Sequence, residues 1–166
     1  LRAIASDGTV LDEMILAPKA AGGHGGIGLQ TRWQRLEEQI LINGEASLPE
    51  MPVTLFSSDC RYCRHLLHDR LPRLASEAQV ALRVSYFDLG RQGVYDLFLA
   101  AGAAFGRQDA DLPAIFTGKT VLGGKIEIEE KLPGEIERFR KNPQMYRDGR
   151  IKPFVSPGEA RRMRDR

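Results

Sequence analysis

From position 53 onward, short apolar runs alternate with stretches whose apolar residues recur every three or four positions. Val53–Phe56 is a short apolar run suited to a buried strand. Ser57, Ser58 and Asp59 follow with turn and N-cap chemistry, so a helix should begin near Cys60. Leu67, Leu71, Leu74 and Ala78 line one face of that helix, and Pro72 lies inside the pattern, where it should kink or split it. Leu82, Val84 and Tyr86 alternate as a second strand, and Val94, Leu97, Phe98, Ala101 and Phe105 return to helical spacing. Ala114–Phe116 and Thr120–Leu122, joined by Thr117-Gly118-Lys119, predict a β-hairpin. Glu127–Leu132 and Pro133–Arg140 predict two helical pieces, with Pro133 as the first residue of the second. The order β-α-β-α-β-β-α predicts an α/β fold with parallel pairing between strands that helices separate.

The first fifty residues carry a weaker pattern. Leu1–Ala5 and Val10–Leu16 flank Asp7-Gly8, a hairpin signal, and Pro18 closes that region. Gly22–Gly28 is glycine-rich and predicts a mobile loop. Thr31 with Gln34 resembles a capping box. Trp33, Leu36 and Ile40 then recur at helical spacing, so a helix is expected to run up to Asn43-Gly44. The chain therefore divides into an N-terminal extension (1–50), a central domain (51–141) and a tail (142–166).

Composition narrows the class. With 42% hydrophobic and 28% charged residues the chain reads as an ordinary globular protein. No run approaches the roughly 18 apolar residues a membrane span needs. The net charge of +2 is uneven: ten Lys/Arg against five Asp/Glu from Gly134 to Arg166 give +5 there and −3 before it. Such a tail reads as a solvated basic extension. No aromatic ladder accompanies it, so no nucleic-acid partner is expected.

Two cysteines, three positions apart, make one pair and no multi-bridge framework. Cys60-Arg61-Tyr62-Cys63 falls where a strand is expected to meet a helix. Thiol exchange requires a thiolate, and a helix N-terminus favours the anion through its unpaired N–H groups and partial positive charge. Arg61 and Arg64 add positive charge nearby and are candidate pKa-tuning residues. Cys60 is then the attacking thiol and Cys63, one turn along, its resolving partner. Two other readings compete. In one, Cys60 and Cys63 form half of a metal site with His65 and His68, but on one continuous helix these four side chains do not converge. In the other, the pair is a structural disulfide, which across so short a loop stabilises little. Gly23-His24-Gly25-Gly26-Ile27-Gly28 matches G-x-G-x-x-G but lacks the strand-to-helix context that motif requires.

Over about Val53–Arg140 the chain resembles the thioredoxin/glutaredoxin superfamily. The resemblance rests on Ser58-Asp59-Cys60-Arg61-Tyr62-Cys63-Arg64 after an apolar strand, on Leu112-Pro113-Ala114-Ile115-Phe116, and on Gly118-Lys119-Thr120-Val121-Leu122-Gly123-Gly124. It implies a thioredoxin-like fold with a central mixed sheet. It also implies a cis peptide bond before Pro113, with Leu112 and Pro113 forming a substrate groove. More narrowly, Arg64-His65-Leu66, Leu71-Pro72 and Ala104-Phe105-Gly106 resemble bacterial thioredoxin-like domains attached to DsbD/CcdA-type membrane electron conductors. That implies an extracytoplasmic, periplasmic or membrane-tethered domain with such a conductor as partner. The dipeptide Arg61-Tyr62 departs from the family's Gly-Pro and Pro-Tyr forms. The acid that thioredoxins bury behind the second cysteine has no counterpart on Val53–Phe56.

The expected function is that of a thiol–disulfide oxidoreductase acting on a disulfide-containing protein or small thiol. No metal or organic cofactor is expected, with glutathione as a candidate co-substrate. A non-catalytic thioredoxin-fold module, binding or relaying electrons to one dedicated partner, and a metal-binding domain are the alternatives.

Overall fold

Strand Val53–Phe56 is longer than its apolar run suggests, extending over Glu50–Ser57, and it pairs in parallel with Ala81–Asp88 throughout its length. The computed structural model describes residues 2–4, 10–13, 35–45 and 47–148. Its strands are β1 (Arg2–Ile4), β2 (Val10–Glu13), β3 (Glu38–Ile42), β4 (Glu50–Ser57), β5 (Ala81–Asp88), β6 (Ala114–Thr117) and β7 (Thr120–Gly123). They form one seven-stranded mixed sheet in the order β2-β1-β3-β5-β4-β6-β7.

Between β4 and β5 the chain is helical over 61–78. It passes from α1 (Arg61–His65) through a π-helical turn (Leu66–Arg70) into α2 (Leu71–Ala78), with right-handed helical backbone at each junction. Pro72 falls in the first turn of α2, so the proline splits the helix by local rewinding and not by a break. Helix α3 (Val94–Ala104) links β5 to β6, and the β6–β7 hairpin turns on Gly118 at φ +57°. Helix α4 (Gly124–Lys141) is continuous, correcting the expectation of two pieces: Pro133 lies inside it. The stripe Ile128, Leu132, Ile136 and Phe139 is nearly fully buried, and packing of this kind offsets the loss of one backbone bond at the proline. Helix α5 (Pro143–Asp148), within the segment read as tail, is tied to α4 by the Tyr146 hydroxyl, 2.6 Å from Oε2 of buried Glu135. No helix among the described residues is long and apolar enough to cross a membrane.

Alternation along the strands divides the core into two. Val53 and Leu55 of β4, Leu82 and Val84 of β5, and Ile115 of β6 face the 61–78 helix and α4. Phe56, Phe87 and Phe116 face α3, where Phe56 stacks on Phe87 at 4.9 Å between ring centroids. Because both faces of β4 are covered, its apolar residues do not follow a strict alternation.

The N-terminal hairpin appears as β1 paired antiparallel with β2. The helix expected up to Asn43 does not extend there: Glu38–Ile42 is strand β3, antiparallel to β5. Ile40 and Ile42, two apart and both fully buried, lie opposite Val84 and Leu82. From Glu38 onward a period of two carries the burial, and the helical spacing that the sequence continues to Ile40 is overridden by a place beside β5. Thr31, Trp33, Gln34, the glycine-rich stretch and the basic residues from Arg150 onward lie outside the described residues.

This assignment predicts that Ile40→Ala and Ile42→Ala each cost about 2–5 kcal/mol in urea unfolding, the loss expected for buried isoleucine. On a helix the two side chains would point about 200° apart and one would be spared.

Candidate functional site

Strand β4 delivers the chain to Ser58 and Asp59, and the helical run opens at Arg61. The residue that caps it is Cys60 itself, with extended backbone (φ −98°, ψ 159°), and its sulfur accepts the Cys63 N–H at 3.0 Å. This refines the sequence expectation, which looked to Ser57–Asp59 for the cap. Sulfur does here what a serine or aspartate oxygen does at other helix starts. Cys63, three residues on, has its Cα 5.1 Å from that of Cys60, and the two are joined in a disulfide.

The two sulfurs sit in different surroundings. Cys60 is half-buried, whereas Cys63 is 3% exposed, with the Ser58 hydroxyl 3.8 Å from its sulfur. Arg61 is exposed, and Arg64 is turned toward Asp59, 3.5 Å away. His65 pairs with Asp69 at 3.3 Å, and His68 lines a cleft beside Cys63. Among the described residues no three His, Cys, Asp or Glu side chains gather as a metal-binding group. The cleft, about 410 Å3, opens beside Cys63 and brings Glu38 of β3 and Asp88 at the end of β5 to its walls with Ser58, Asp59, Arg64 and His68. Glu38 was not expected here, because its segment read as helix.

The Leu112–Pro113 peptide bond is cis. Phe56 of β4 lies opposite Ala114 of β6, so the cis bond comes to the end of β4 from which the chain runs on to Cys60. Pro113 is buried and Leu112 is 40% exposed. The Pro113 carbonyl accepts the Gly124 N–H at 2.9 Å, tying this loop to the start of α4.

Two features that sequence reasoning missed hold the loop in place. First, Gly123 and Gly124 allow it to approach: a Cβ on Gly123 would lie 2.8 Å from the Asp111 backbone nitrogen, and Gly124 has φ +82°. The glycine pair was visible, but its spatial partner was not. Second, Arg107 donates to both carboxylate oxygens of Glu127 and to the Val121 carbonyl, while Glu127 also accepts the Gly123 N–H at 3.3 Å. That hydrogen-bonded guanidinium holds the Glu127 carboxyl below its ordinary pKa.

Comparison of the chain with protein-family models, with curated proteins and with solved structures finds no match. The mixed sheet flanked by helices, with its Cys60–Cys63 pair, is compatible with a thioredoxin-like fold.

Two outcomes follow for the loop. Gly123→Ala should destabilise by about 1–3 kcal/mol, because the obstruction is backbone and cannot rotate away. Because the Glu127 carboxyl is lowered in the folded state, its contribution is present above the unfolded carboxylate range and is lost as pH falls through the folded value. Glu127→Gln should therefore lower the urea midpoint at neutral pH and flatten its decline on acidification. An unchanged acid slope would show that the pair does not brace the fold.

Proposed function

We propose that the protein is a thiol–disulfide oxidoreductase of thioredoxin-like fold, working through Cys60 and Cys63. The observation that carries this reading is the asymmetry of the pair: an accessible sulfur that caps a helix and a buried sulfur one turn behind it. The cap N–H and the helix dipole favour negative charge on Cys60, and Arg61 beside it acts in the same direction. A cis X–Pro segment at the end of the same central strand supports the assignment of Leu112 and Pro113 to the substrate groove.

In the reducing direction the Cys60 thiolate attacks one sulfur of a substrate disulfide, forming a mixed disulfide and expelling one substrate thiolate. Cys63 gives up its proton and attacks Cys60 Sγ. The Cys60–Cys63 bond forms, and the second substrate sulfur leaves as a thiol. Two electrons and the Cys63 proton pass to the substrate, whose first sulfur takes its proton from solvent, and the oxidising direction is the reverse. The electrons reside in the two sulfurs, so the reaction calls for no metal or organic cofactor. The partners we propose are a disulfide-containing protein or a small thiol such as glutathione, with a membrane electron conductor as redox partner in an extracytoplasmic setting.

Turnover of insulin disulfides with dithiothreitol tests the reading. The wild type should accelerate reduction and Cys60→Ser should abolish it; reduced Cys63→Ser, mixed with insulin after the dithiothreitol is removed, should accumulate a mixed disulfide visible on a non-reducing gel. Wild-type turnover no faster than the dithiothreitol background would replace a general oxidoreductase by a relay dedicated to one partner. Failure of Cys63→Ser to trap any substrate would remove the attacking role from Cys60.

A further inference from the structure

The dipeptide between the cysteines contains neither proline nor glycine, so whatever fixes its conformation comes from outside the turn. Tyr62 is the residue so held. Its hydroxyl donates to Glu129 Oε1 at 3.1 Å, and the other oxygen of that carboxylate accepts Arg70 Nε at 2.8 Å. Lys125, one turn earlier on α4, places its Nζ 5.5 Å from the centre of the Tyr62 ring. Arg70 and Glu129 are both largely covered, with side chains 25% and 30% exposed. Burial, together with the hydrogen bond to Glu129, pushes the Tyr62 phenol far above its ordinary pKa, so it is a neutral donor throughout the working range.

The π-helical turn is what lets Arg70 join. In an uninterrupted α-helix, residues eight apart are about 80° out of phase. The additional residue in a π turn sets Arg70 where the seventh position would otherwise fall, about 20° from the Tyr62 face and two turns on. Tyr62 and Arg70 can then reach one carboxylate on α4. The same helix begins at Gly124, bonded to the Pro113 carbonyl, so α4 touches the redox dipeptide and the cis-proline loop together.

We propose that Glu129 is a positioning residue of the dithiol site: clamped by Arg70, it anchors Tyr62 and so holds the turn in which the Cys63 N–H meets the Cys60 sulfur. The inference rests on the dithiol reading above. Loss of the anchor leaves the turn free to open, the Cys60 anion loses its donor for part of the time, and the thiolate becomes less populated.

The test is the rate of alkylation of the reduced protein by iodoacetamide at about pH 6, where the rate follows the thiolate fraction. Tyr62→Phe and Glu129→Gln should each slow it about three- to tenfold, half to one unit in the Cys60 pKa. The double variant should be no slower than the slower single one, since both remove the same bond. Glu137→Gln, on the exposed face of α4 and paired with Arg140, should leave the rate unchanged. Tyr62→Phe deletes one oxygen atom and keeps the ring, so it gives a readout even where Glu129→Gln fails to fold. Variants with a lower melting temperature but a wild-type alkylation rate would reduce the network to a structural brace and overturn the inference alone. A wild-type protein alkylated no faster than free cysteine would overturn it together with the dithiol reading.

Discussion

The hydrogen bond from the Cys63 N–H to the Cys60 sulfur fixes the geometry on which everything else at this site depends. It requires an extended residue at the mouth of a helix and a second residue one turn inside. That in turn requires a strand that ends where the helix begins. β4 meets the requirement because it is held on both sides, by β5 over its full length and by β6 near its exit. Moving the end of β4 by one residue would reverse which face its side chains occupy and carry Cys60 away from the cap.

The same strand explains why distant pieces of sequence meet at one place. The antiparallel register with β6 returns the chain at Ala114, next to the cis Leu112–Pro113 bond, and the hairpin then hands it to α4. Each of these pieces sits on a packed element: the aromatic cluster of Phe56, Phe87, Phe98 and Phe116 lies beneath one face, and the aliphatic core beneath the other. A cysteine pair supported in this way keeps its geometry better than one on a free loop. The N-terminal strands β1–β3 extend the sheet from the β5 side, while the cis-proline hairpin occupies the opposite edge. The two ends of the sheet thus differ: one supplies Glu38 to the cleft by Cys63, and the other carries the cis Leu112–Pro113 bond.

Where a segment's structure is set by its own residues, it was legible in the sequence. The short apolar run Val53–Phe56, the turn residues before Cys60, the hairpin on Gly118 and the disruption by Pro72 are all of this kind. Glu38–Ile42 was not, since its spacing fits two periods and only the neighbouring β5 decides between them. Pro133 misled because local propensity argues for a new helix start, whereas the buried stripe from Ile128 to Phe139 carries one helix through. At the site, Cys60 and Cys63 were identifiable from spacing and context. The bonds from Arg107 to Val121 and Glu127, and from Tyr62 to Glu129, span 14 to 67 positions, and no local pattern announces them. The sulfur acting as its own helix cap was hidden for a different reason: Ser58 and Asp59 are stronger capping residues, and only the backbone shows that they are passed over.

The most direct measurement is a pH titration of the reduced protein, following the Cys63 amide proton by nuclear magnetic resonance. If the Cys60 sulfur accepts that N–H and is held as an anion, the resonance moves downfield in a single step. Its midpoint lies well below about 8.5, the value for an unperturbed thiol. An amide that does not respond, or one whose step falls at or above that value, would contradict the account.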